Sequence, residues 1–165
     1  MLGLRLTYLL ALAVWLGGAI VLGAATAPAV FGTLTTQLPG AGAAMAGVVF
    51  GAVLRRFHLL AFMCGALMLA SLVGRALVGP RPRPYAARLA LIGAMLVLAA
   101  LVRWPLGQAI ERVQLQAPGG IRALPEPDPR RARFERLHGW SNALMLINAA
   151  GGVLLLLLEA RDLKA

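Results

Sequence analysis

His58 and His138 are the only imidazoles in the chain. An imidazole can carry a proton near neutral pH and is a good ligand for haem iron or copper. His58 follows Arg55 and Arg56 at the head of one apolar run, and His138 follows Glu135 and Arg136 at the head of another. If those runs cross a membrane in the same direction, both rings lie near one interface at similar depth. Two histidines so placed could share a haem b, a metal ion such as copper, or a polar substrate. A polar stripe accompanies His138: Glu135, His138, Asn142, Met145, Asn148 (or its neighbour Ala149) and Gly152 follow steps of three and four, with Ser141 beside them. Residues so spaced share a helix face, and polar groups in lipid are costly unless they meet protein or a wet cavity. The stripe is therefore expected to face inward, with Glu135 holding His138. The plainer reading is that Asn and Ser fasten helices together and that histidines near an interface are solvated there. The candidate polar site is His58, His138, Glu135, Asn142, Asn148, Arg55 and Arg56, with the two histidines as candidate metal ligands.

Other templates do not fit. Glu135-x-x-His138 has the spacing of a di-iron bundle, but the second such motif and the extra carboxylates are missing from the chain. There is no His-Glu-x-x-His, no Gly-x-Ser-x-Gly and no phosphate-binding glycine loop. Cys64 is the single cysteine, which excludes an intrachain disulfide and a cysteine-based zinc site. The apolar runs are uncharged in their middles, which counts against an ion pump.

The elements that would position these residues follow from composition. With 60% hydrophobic and 13% charged residues in 165, and a mean hydropathy of +0.80, the chain cannot hide its apolar surface in one soluble core. The net charge of +10 falls in short arginine clusters between apolar runs. That distribution suits anionic lipid headgroups and argues against nucleic acid. The pattern predicts an all-α, single transmembrane domain over residues 1–165, a bundle of four membrane-crossing helices at about 4–31, 43–78, 85–116 with a break near Pro105, and 129–160. Ala43 to Leu54 reads as a lead-in to helix two, at the interface or against a partner. Leu106 to Gln116 reads as an amphipathic segment after helix three. Arg5, the apolar run and Ala25-Thr26-Ala27 imitate a secretory signal, but the long run and Pro28 favour a retained helix. Gly79 to Pro84 forms a stiff basic connector, and Pro118-Gly119-Gly120 opens an irregular loop. Asp128-Pro129 is a helix-start signal. Four spans put both termini and the Pro80 connector on one side. The short connector favours the cytoplasm for that side, and the raw arginine count favours the other.

Trp15-Leu16-Gly17-Gly18, Ala27-Pro28-Ala29-Val30-Phe31, Ala43 to Phe50, Phe134 to Asn142 and Asn148 resemble the transmembrane protein 205-like family of small membrane proteins. That resemblance implies a four-helix membrane fold without an established catalytic activity. More distantly, the layout is similar to copper-resistance D-type and haem-linked protoporphyrinogen oxidase membrane proteins. The chain departs from the oxidase pattern, having no histidine in helix one and its only lysine, Lys164, in the tail. The expectation is a non-enzymatic bundle in a bacterial inner membrane, an accessory subunit or a small-solute handling component, with the bilayer, anionic headgroups and other membrane subunits as partners. The alternative is a haem- or copper-binding redox protein using His58 and His138.

Overall fold

Four long helices account for most of the computed structural model, which describes residues 2–117 and 120–162. Pro118 and Gly119 of the loop, and Lys164 of the tail, lie outside the described residues. The helices are α1 (Leu2–Gln37), α2 (Gly42–Val78), α3 (Tyr85–Leu115) and α4 (Pro129–Arg161), each apolar and long enough to cross a membrane. No strand occurs among the described residues. Each helix packs against the next and α4 returns to α1, giving an up-down bundle.

The ends of the helices follow local chemistry. α1 turns into α2 through Gly40, whose φ of 86° is left-handed and suits a residue without Cβ. Gly42 then comes so close to the Leu34 carbonyl that no side chain fits. α4 starts where the Asp128 carboxylate accepts a 2.8 Å hydrogen bond from the Arg130 backbone N–H, with Pro129 following it. Pro28 and Pro105 do not stop their helices. Each is met by a single wide turn, Leu22–Thr26 before Pro28 and Val102–Leu106 around Pro105. Such a π-turn relieves the clash of the ring with the preceding carbonyl and lets the helix continue. Ala43 to Leu54 is likewise continuous with α2, and Gly107–Leu115 with α3.

The core runs along the bundle axis: Tyr8, Leu12 and Trp15 from α1; Ala61, Met68 and Leu72 from α2; Ile92 and Met95 from α3; Leu155 from α4. Small residues admit these neighbours. A Cβ on Gly65 would lie 2.5 Å from Leu96 and 2.9 Å from Trp15, while Gly151 and Gly152 of α4 face Met95 and Leu16. The outer surface is apolar as well, with Leu10, Val14, Leu59, Met63, Val97, Leu146 and Leu157 exposed. An apolar outside around an apolar inside is what a lipid-embedded bundle requires.

Helix α2 is about 55 Å long at 1.5 Å per residue, well over the ~30 Å of hydrocarbon. Arg55 and Arg75 stand about 30 Å apart along it. They bracket a length that matches the hydrocarbon of one bilayer, and the first third of α2 precedes Arg55.

Candidate functional site

Two polar centres lie at opposite ends of that bracket. The first is at the end that holds Leu2 and Arg161. Glu159 on α4 is 1% exposed, and all three other helices send an arginine to it. Arg5 Nε donates to Oε1 at 2.8 Å, Arg75 Nη1 to Oε1 at 3.1 Å and to Oε2 at 3.2 Å, and Arg88 Nη1 to Oε2. Arg88, wholly buried, also donates through Nη2 to the Leu158 carbonyl at 2.8 Å, to Asp162 Oδ2 at 2.8 Å and to the Arg83 carbonyl at 3.1 Å. The helix register explains the convergence. Arg5 and Tyr8, Leu72 and Arg75, Arg88 and Ile92, and Leu155 and Glu159 are pairs three or four apart, so each charge continues a core-facing stripe by one turn. A charge buried in this way persists only when paired and hydrogen-bonded.

The sequence alone assigns the arginines collectively to anionic headgroups and gives Glu159 no role. The available signal was Glu159 itself, an acid closing the apolar run Leu154 to Leu158, in step with Ser141, Asn148, Gly152 and Leu155.

The second centre surrounds His58, about one turn inside Arg55. His58 is 4% exposed, and its Nδ1 donates to the Leu54 carbonyl at 2.8 Å. That bond fixes the tautomer when the ring is neutral, leaving Nε2 as the available lone pair. A crevice of about 20 Å³ lies beside it, walled by all four helices. Trp15 comes from α1, Phe57 and His58 from α2, Val102 from α3, and Met145 and Asn148 from α4. Asn148 spends its amide N–H on the Met95 carbonyl at 2.7 Å, a fastening of α4 to α3.

The remaining candidates lie elsewhere. The inward face of α4 runs through Ser141, Asn148, Gly152, Leu155 and Glu159, which corrects the expected stripe. His138 and Asn142 are rotated about 60° and 100° from Ser141 and, with Glu135, are exposed on the outer surface. Glu135 does not hold His138: its carboxylate accepts from Arg131 Nε at 3.2 Å, and the His138 ring stacks on Phe134 at 5.6 Å. Arg55 and Arg56 are exposed. Met145 and Asn148 therefore border the His58 crevice, while His138, Glu135 and Asn142 are not among its lining residues. Among the described residues no three His, Cys, Asp or Glu side chains gather as a metal site.

No curated protein and no solved structure matches the chain. A family model does match, over residues 10–118, a stretch that includes His58, Arg75 and Arg88 and excludes Arg5, His138 and Glu159. Well over half of the chain is matched, all within a helical, membrane-spanning architecture, and the protein belongs to the family described as a domain of unknown function, DUF4149.

Proposed function

We propose that this is a non-enzymatic, multi-pass protein of the bacterial inner membrane that handles a small solute in the His58 crevice, by itself or as an accessory subunit of a larger assembly. The crevice carries the reading. Its walls are mostly apolar with one imidazole and one amide, the mix that ligand sites use. A volume of about 20 Å³ suits a single ion or a water-sized solute. The resemblance of Trp15 to Gly18 and of Phe134 to Asn142 to the transmembrane protein 205-like family implies a four-helix membrane fold with no established catalytic activity. Exposed Arg55 and Arg56 suit anionic headgroups at that interface.

Gentle extraction followed by native mass spectrometry tests this. The expected species is a chain carrying a small non-haem ligand or co-migrating with other membrane proteins, the ligand being lost in His58→Phe. A lone monomer with a Soret band would overturn it.

One observation favours the redox alternative. The free Nε2 of His58 shares its crevice with the Met145 thioether, and a nitrogen–thioether pair suits copper(I). The crevice size favours one ion over a porphyrin. Copper(I) titration of the wild type, His58→Ala, Met145→Ala and His138→Ala separates the options. Loss of binding in the first two variants alone places copper in the crevice, and loss in His138→Ala restores the two-histidine site.

A further inference from the structure

The charged layer at the Glu159 end has more donors than acceptors. Arg5, Arg75 and Arg88 face two carboxylates, Glu159 and Asp162. One positive charge is in excess among the described residues. Among the described residues, two donors inside the layer have no acceptor, the Nε–H of Arg88 and the phenol O–H of Tyr8. Both side chains are 0% exposed. Tyr8 sits one turn beyond Arg5 on the same face of α1, and helical side chains lean toward the N-terminus, so its ring leans toward the layer. Arg88, Glu159 and Arg75 are all within electrostatic reach of its hydroxyl.

A buried donor without a partner and a buried excess charge are each costly. One acceptor bearing one negative charge relieves both. We propose that Arg88 and Tyr8 form a binding site for a singly charged phosphate oxyanion, supplied by a lipid phosphodiester or by free inorganic phosphate. The Arg88 Nε–H and the Tyr8 O–H would each donate to a phosphate oxygen, and hydrogen bonds to an ionised acceptor are the strong ones. The depth is right for a headgroup, because this layer lies at one edge of the hydrocarbon bracketed along α2. Arg5 is the way in: its side chain is 25% exposed, against 10% for Arg75 and 0% for Arg88. Arg81 and Arg83, exposed on the adjoining connector, draw anions to the mouth. The site is separate from the His58 crevice, and its failure would leave that reading untouched.

The test uses full-length protein in a neutral detergent, with thermal unfolding followed while phosphatidylglycerol, diacylglycerol (which lacks phosphate) or inorganic phosphate is added. Phosphatidylglycerol or inorganic phosphate raises the unfolding temperature of the wild type, and the one that does so identifies the source. Tyr8→Phe weakens that response about tenfold by removing a hydrogen bond to a charged group. Arg81→Gln with Arg83→Gln changes it by less than about fivefold, as expected for exposed charges. No response to either anion overturns the site, as does a Tyr8→Phe protein that binds as tightly as the wild type. Native mass spectrometry of the wild type needs no variant. One retained phosphatidylglycerol or phosphate per chain supports the site, and retention of diacylglycerol to the same extent overturns it.

Discussion

Arg88 reaches four polar partners, more than any other described side chain: Glu159, Asp162 and the carbonyls of Leu158 and Arg83. Removing it strands a buried Glu159 with fewer donors. Arg88→Leu is expected to destabilise the bundle by about 3–5 kcal/mol, as when one partner of a buried pair is deleted. Denaturant titration in mixed micelles measures this, and a loss under about 1 kcal/mol would place the pair among exposed, weak ones. Asp128, outside the spanning helix, behaves differently. The Arg130 guanidinium, through Nε at 3.0 Å and Nη2 at 2.7 Å, and then the Arg130 backbone N–H, hold its carboxyl below the usual carboxylate range. A depressed carboxyl contributes stability above its unfolded pKa, and that contribution is lost as pH falls through the folded value. The first turn of α4 should therefore stay protected from amide exchange at neutral pH and fray below about pH 4. Exchange at that turn unchanged by acid would contradict the cap.

At the scale of the helices, glycine position separates contact from lipid-facing surface. Gly65 meets Leu96 and Trp15, whereas nothing lies within 4 Å of a Cβ on Gly17. Gly65→Ala should cost about 1–3 kcal/mol by overpacking. Gly17→Ala should be neutral or gain up to about 1 kcal/mol from helix propensity. Equal effects in the same unfolding assay would refute the packing shown here. The sequence marks Gly17, Gly18 and Gly23 alike as small residues, yet only Gly18 has a close neighbour, the Phe57 ring. The two prolines teach the same lesson. Pro28 and Pro105 announce a disturbance, but a wide turn that keeps the helix going depends on α1 and α3 being held along their length by neighbours.

The whole molecule predicts its own topology. On a Cys64→Ser background, single cysteines in the Gly79–Pro84 connector and near Leu2 should react with an impermeant thiol reagent from one side of the membrane. Cysteines at Leu38 and Glu126 should react from the other side. Labelling of both connectors from the same side would dismiss the four-span bundle. That architecture was legible from sequence because hydropathy is a local property: eighteen apolar residues in a row need no partner to declare themselves. Periodicity also located the inner face of α4 approximately, through Asn148 and Gly152, but anchoring it on His138 misdirected Glu135, His138 and Asn142 by a fraction of a turn. What only the tertiary structure decided is which polar groups meet. Glu159 is 154, 84 and 71 residues from Arg5, Arg75 and Arg88, and each of the four alone resembles an ordinary residue at a membrane edge. Their meeting follows from the rotation of four helices about their axes, set by packing among Tyr8, Leu72, Ile92 and Leu155 in the turn beneath, which a linear pattern of apolar and charged letters does not encode.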